Sequence, residues 1–145
     1  MSQEKFDELF DGYPEGMEEM RKKVHLAIHN SYQEMKSVVE ELEKLTAPTE
    51  KCQIYPYVGA INHLDIWTIE GSPMALFHTF HKLNAPLTEA YEAHCVATER
   101  REGWLRRKHK TTSEEWLVLR NAALKSAKAL EEWLLSIHPA PPKQL

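Results

Sequence analysis

The chain is poor in the residues on which several kinds of functional site depend. It has five glycines and two cysteines in 145 residues, and neither cysteine lies in a CxxC or Cys/His zinc pattern. So few glycines cannot build a phosphate-cradling loop of the usual kind, and no GxSxG nucleophile elbow is present. No apolar run approaches the roughly 18 residues that span a bilayer. These absences argue against a zinc finger, a P-loop NTPase, a serine hydrolase of that type and a membrane-spanning protein.

Cysteine usage and composition indicate the class of protein and its compartment. Cys52 and Cys95 lie far apart in the sequence. Isolated thiols of this kind are typical of proteins in a reducing compartment, so we expect a cytoplasmic protein. The first residues are acidic and contain no apolar segment, which is not the pattern of a secretory signal. The apolar fraction of 42% and the charged fraction of 28% are typical of a globular protein. We expect a single helical domain over residues 1–138 and a loose, proline-rich tail at 139–145.

The two ends of the chain differ in the sign of their charge. Residues 1–50 hold 12 acidic and 6 basic side chains, whereas residues 99–145 hold 6 acidic and 10 basic ones. One interpretation is that the two end helices lie side by side and complement each other. The other is that the acidic face of one copy meets the basic face of another. The first is favoured, and the second keeps self-association open.

The strongest pattern is a repeat of residues at alternating four- and three-residue spacings. Seven residues follow it: Val24, Ile28, Ser31, Met35, Val38, Leu42 and Leu45. This is the period of a helix that buries one face against other helices. Tyr32 and Val39 add a third row, which indicates a bundle helix with neighbours on two sides. The pattern predicts a helix from Pro14 to about Leu45.

Three further main helices are predicted after the first. They cover about residues 73–84, 85–110 and 113–137. Ser72 is expected to cap the first of them, with Pro73 in its first turn. A short helical turn at residues 1–11 would dock through Phe6 and Phe10. The predicted fold class is therefore all-α, a helical bundle of about four main helices.

Residues 50–70 do not follow a helical repeat and are predicted to form a short insert. The runs at 54–58 and 64–69 are rich in aromatic and β-branched residues, and residues 59–62 could turn between them. One alternative is a β-hairpin in which Pro56 confines the first strand to an edge. The other is an ordered loop followed by a short buried helix. Both alternatives stay open at this point.

Eight histidines are many for this length, and three of them are predicted to meet. His78 and His81 share one face of a predicted helix, and His94 interrupts the apolar stripe of the next helix, as does Arg101. On the first interpretation the three histidines bind a transition metal, and Arg101 binds an anion. On the second, Glu carboxylates and Tyr hydroxyls satisfy His94 and Arg101, because unpaired buried polar groups are costly. The second is favoured, so no cofactor is expected.

Another pair of histidines, His25 and His29, lacks the features of a metal motif. The stretch reads HLAIH and has no glutamate of the HExxH type. His25 borders the apolar face of its helix, while His29 is expected to point outward. The pair is therefore expected to have structural or surface roles.

The densest basic cluster is Arg100–Lys110, which surrounds Trp104. Basic side chains beside an aromatic ring are one way to contact nucleic acid. However, the cluster falls at the end of a predicted helix, where cations complement the helix dipole, and the whole chain is acidic. The favoured interpretation is helix-end electrostatics.

The function most consistent with these patterns is that of a small interaction protein, such as an adaptor, regulator or inhibitor. It follows from the broad apolar faces and from the lack of a catalytic motif, and no catalytic residue is identified. The partner would be another protein or a second copy of the chain, and no contact with a membrane is expected. Tryptophans and basic residues are the expected interaction residues: Trp67, Trp104, Arg106, Arg107, Lys108 and Trp116. A metal or anion site, and nucleic-acid contact, are the alternatives.

Overall fold

The computed structural model describes residues 3–46, 54–67, 69–102 and 113–138, with the backbone alone at 97–102 and 113. Six α-helices occupy these residues: α1 (Gln3–Glu8), α2 (Glu18–Lys44), α3 (Tyr55–Asn62), α4 (Met74–Leu83), α5 (Ala85–Glu102) and α6 (Ser113–Ile137). A short 3-10 helix at Asp65–Trp67 separates α3 from α4. No strand is present within these ranges, and the predicted all-α class is confirmed. None of the helices described is long and apolar enough to cross a bilayer.

The two longest helices, α2 and α6, form the main contact of the fold. Six of the seven residues of the predicted α2 repeat are buried, and Leu45 just after the helix is half-buried. The facing positions of α6 are fully buried: Leu119, Ala123, Ala127, Leu130 and Leu134. The alanines leave room for α2 to approach closely. The helix period of the sequence therefore predicts the central helix pair correctly.

Polar contacts also join α2 to α6. The Arg120 side chain donates from Nε and Nη2 to the Leu42 carbonyl oxygen, at 3.2 and 2.9 Å. This carbonyl lies in the last turn of α2, where it also accepts the Leu45 N–H at 3.1 Å. The Lys128 ammonium also lies 3.7 Å from the Glu43 carboxylate on the surface. Helices α2 and α6 thus lie side by side. Most basic side chains of the C-terminal end lie in Arg100–Lys110, outside the described side chains, so the complementarity of the two charged ends stays a prediction.

The first turn of α2 differs from the prediction. The helix begins at Glu18, four residues after Pro14, which the sequence placed at its start. Gly12 and Gly16 have φ angles of 83° and 90°, which are incompatible with a right-handed helix. The turn that follows α1 therefore continues through residue 16, and α2 can begin only after it.

The predicted cap of α4 is also wrong. The helix begins at Met74, and Pro73 stands in the capping position without a side-chain hydrogen bond. Ser72 is buried, and its hydroxyl has no hydrogen-bond partner within the structure described. A proline with a ψ of 132° directs the chain away from the helix axis, so the serine before it does not reach the first-turn amides.

The insert at residues 50–70 is helical where it is described. Residues 55–62, which include all but the first residue of the first predicted strand, form α3, and residues 65–67 form the 3-10 helix. The β-hairpin is therefore not formed. The alternative with a short helix agrees better with the structure, although the helix begins in the run at 54–58. Ile54, Val58 and Ile61 are buried at helical spacing. Pro56 lies in the first turn of α3, where its missing N–H costs nothing.

We expect Ile28→Ala to lower the free energy of unfolding by about 2–5 kcal/mol, because it leaves a cavity at a fully buried position of α2. The measurement is chemical denaturation followed by circular dichroism. Lys36→Ala, at an exposed position of the same helix, is the control and should change stability by less than about 0.5 kcal/mol. Equal effects of the two substitutions would contradict the assignment of the buried face.

Candidate functional site

A buried histidine connects three helices at the middle of α5. His94 is 7% exposed, and its Nε2 lies 2.7 Å from the Tyr55 hydroxyl oxygen of α3. On the other side of the ring, Nδ1 lies 3.4 Å from Oε2 of Glu115 in the first turn of α6. A tyrosine hydroxyl and a glutamate carboxylate thus lie beside the two ring nitrogens of His94, and these are the residue types that the second interpretation of the sequence expects. The three side chains hold α5 between α3 and α6.

This row of a phenol, an imidazole and a carboxylate has the order of groups that activates a hydroxyl in acyl-transfer enzymes. Such chemistry also requires space for a substrate beside the hydroxyl. The pocket next to this row is lined by His94 and Glu115 but not by Tyr55. The geometry therefore favours a positioning role, in which the row fixes three helices, over a catalytic one.

The exposed side of the row carries a second tyrosine and a cysteine. The Tyr91 ring lies edge-on to the Tyr55 ring, with 6.4 Å between centroids. The nearby Cys95 thiol raises the pKa of Tyr91, and partial burial, a hydrogen bond with Cys95 and the charge of Tyr55 add to the effect. A phenol with a raised pKa stays protonated at neutral pH. Tyr91 is therefore not an activated base and presents a neutral ring to the solvent.

A small apolar pocket lies between α5 and α6, beside His94. Its volume is about 150 Å³. Its lining residues are Ala90, Ala93, His94, Glu115, Val118 and Leu119. The two alanines make it a notch in the helix surface, and Val118 at its edge is 59% exposed. We call this notch and its rim the α5–α6 groove.

The histidines predicted to share a metal are not brought together. His78 and His81 are both exposed on α4, and the His81 ring lies against Trp67, with 4.9 Å between centroids. His94 contacts Tyr55 and Glu115 instead. Within the described ranges, no three His, Cys, Asp or Glu side chains are grouped in a way that could hold a metal ion. The side chain of Arg101 lies outside the described residues, so the predicted anion contact stays a prediction.

One of the predicted surface anchors is a core residue. Trp116 is 2% exposed, so the prediction that it anchors a partner is wrong. Its position in the α6 stripe faces the bundle, and the apolar period there outweighs the preference of tryptophan for interfaces. Trp67 is half-buried against Phe77 and Phe80. The remaining predicted interaction residues lie outside the described ones: Trp104, Arg106, Arg107 and Lys108.

A histidine cluster at the end of α6 was not predicted from the sequence. Nδ1 of His29, on α2, lies 3.0 Å from Nε2 of His138, which directly follows α6 and is 2% exposed. The rings of His25 and Tyr32 also lie edge-on to His138, at 5.7 and 6.1 Å. The expectation that His29 points outward is therefore wrong. The available signal was the position of His138 directly after Ile137, the last apolar residue of the α6 stripe.

Comparison with known protein families, with curated proteins and with solved structures finds no match to this chain. What the protein does must therefore be inferred from its own contacts and surface. Two features are specific enough to support an inference. They are the α5–α6 groove, with the row that supports it, and the histidine cluster at the end of α6.

We expect Tyr55→Phe to lower the free energy of unfolding by about 1–3 kcal/mol, because it removes the hydroxyl that contacts the buried His94 Nε2. The measurement is chemical denaturation. Tyr91→Phe is the matched control, since it removes a hydroxyl from the neighbouring exposed ring, and we expect it to cost less than about 0.5 kcal/mol. If the two variants were equally stable, the row would not hold the helices.

Proposed function

We propose that this chain is a small helical interaction protein that binds a partner helix in the α5–α6 groove. The observation that carries the proposal is Val118, which is 59% exposed at the edge of a pocket lined mainly by apolar side chains. An isolated exposed valine needs no explanation. A valine beside an open notch of about 150 Å³ offers a partner both a contact surface and a socket.

The size of the notch suits one aliphatic side chain, such as leucine or methionine. Burying such a side chain stabilises a complex by about 1.5–3 kcal/mol, and covering Val118 adds to this. Ala90 and Ala93 on α5 allow the backbone of a partner to come close. A groove between two helices is a common binding place for an amphipathic helix, which inserts apolar side chains at helical spacing.

The charges beside the groove favour a basic partner. Glu89 precedes Ala93 by one turn of α5, and Glu114 precedes Val118 by one turn of α6, so each carboxylate neighbours a groove residue. Both glutamates are exposed. Lys125 lies two turns farther along α6, which confines the acidic stretch to the Val118 end. The best-fitting partner is a helix with one apolar anchor flanked by Lys or Arg.

The row of Tyr55, His94 and Glu115 supports this function by keeping the groove in shape. It fixes the distance between α5 and α6 at the height of the pocket, because His94 and Glu115 belong to both the row and the pocket lining. A pre-formed pocket loses less conformational entropy when it binds.

The other functions considered from the sequence have less support. A metal or anion site at His78, His81, His94 and Arg101 is not supported by any contact among the described side chains. Nucleic-acid contact through Arg100–Lys110 involves side chains outside the described ones, so it stays a prediction. Regulation, oligomeric state and cytoplasmic location are predictions of the same kind.

The test places a photo-crosslinking amino acid at Glu114 and expresses the protein in its native host. We expect a discrete adduct whose crosslinked peptide is helical, with an apolar residue flanked by Lys or Arg. Val118→Glu should reduce the adduct at least tenfold, because it puts a charge at the contact and removes about 1.5–3 kcal/mol of apolar burial. The adduct would be identified by mass spectrometry, which also shows whether the partner is a second copy.

Met74→Glu is the matched control for this experiment. Met74 is also 59% exposed but begins α4 and does not line the groove. The adduct should survive this substitution unchanged. No adduct above background, or equal loss in the two variants, would contradict the proposed function.

A further inference from the structure

We propose that His29 and His138 together bind one divalent transition-metal ion. The proposal does not depend on the proposed function, because these histidines lie on α2 and at the end of α6, away from the residues that line the α5–α6 groove. It also differs from the metal site predicted from the sequence, which involved three other histidines.

The distance between the two ring nitrogens is the first observation. His29 Nδ1 and His138 Nε2 are 3.0 Å apart. Two imidazole nitrogens at about 2.0–2.1 Å from one tetrahedral Zn²⁺ lie about 3.3–3.4 Å from each other. A separation about 0.3 Å wider than the one observed would thus place both nitrogens on the same ion. The ring centroids are 5.2 Å apart and the planes are nearly perpendicular, so both nitrogens can approach one point without a clash of the rings.

The surroundings of the pair are the second observation. His25 lies one helical turn before His29, and its ring is 5.7 Å from that of His138. In the described part of the chain no third His, Cys, Asp or Glu side chain completes a group with these two, so the ion would complete its coordination with water. His25 is the imidazole nearest to serving as a third ligand. His138 is buried, whereas His25 and His29 are half-buried, so their side is open to an ion from solvent.

The location of the pair gives the ion a physical effect. The two ligands are 109 positions apart in sequence and join α2 to the end of α6. The unfolded chain does not hold them together, so an ion that binds both favours the folded state. Imidazole suits Zn²⁺, Cu²⁺ and Ni²⁺ better than it suits Mg²⁺ or Ca²⁺. The site should therefore discriminate between these two groups of ions.

The experiment titrates untagged, full-length protein with Zn²⁺ alone at pH 7.5, where imidazole is largely neutral and able to bind metal. Calorimetry measures the affinity, and the ring signals of the eight histidines are followed by NMR. We expect one bound ion per chain, a rise in melting temperature with Zn²⁺, and no effect of Mg²⁺. The ring signals of His29 and His138 should shift before those of His78 and His81.

Substitutions separate this site from other histidines. His29→Gln and His138→Gln keep a hydrogen-bonding side chain but remove the imidazole, and each should weaken binding at least tenfold. His78→Ala removes an exposed histidine and should leave binding unchanged. His25→Ala shows whether the third imidazole joins, since weaker binding in this variant would assign it as a ligand.

Three results would overturn the proposal. The first is the absence of Zn²⁺ binding by the unsubstituted protein, which would leave the pair as a plain hydrogen bond between two imidazoles. The second is binding that persists in both glutamine variants. The third is an NMR shift confined to other histidines. Because the NMR result uses the unsubstituted protein, the proposal stays testable even if a glutamine variant fails to fold.

Discussion

Helix α6 contacts each of the other five helices, and its main contact is with the buried face of α2. The burial of this face is the constraint on which the remaining structure depends. Two serines in the long helices connect other elements to this pair through hydrogen bonds. Ser31 of α2 accepts the Ile66 N–H of the 3-10 helix at 3.4 Å, and Ser126 of α6 accepts the Leu87 N–H of α5 at 3.2 Å. Leu87 lies in the first turn of α5, whose amides lack partners within the helix.

The sequence predicts those parts of the fold that depend on local spacing. The α2 repeat and the α6 stripe have a helical period over many turns, so their buried faces can be assigned without knowing the neighbours. The residues at which helices begin and end were harder to predict, because they depend on single backbone angles, such as φ at Gly16. The sequence did not decide between a hairpin and a short helix for the insert, because its aromatic and β-branched composition favours strands, whereas burial at Ile54, Val58 and Ile61 follows a helical spacing. Tertiary packing decided the outcome there.

The candidate sites could be predicted only in part. The sequence identified His94 as a polar residue on a burying face and named tyrosine and glutamate as the types that would satisfy it. It could not indicate which ones, since Tyr55 lies 39 positions away in sequence. The pair of His29 and His138 joins residues 109 positions apart, and local spacing carries no information about such contacts. Both sites depend on the packing of α6, because Glu115 and His138 lie near its two ends.

Helices α2 and α6 should form one cooperative unit on which the α5–α6 groove and the histidine cluster are built. Native-state hydrogen exchange measures this directly, because amides in one unit exchange through the same opening. We expect residues 24–42 and 116–134 to be the slowest to exchange, and we expect their opening free energies to agree and to fall together as denaturant is added. Rapid exchange of α2 while α6 stays protected, or separate denaturant dependences for the two helices, would contradict it.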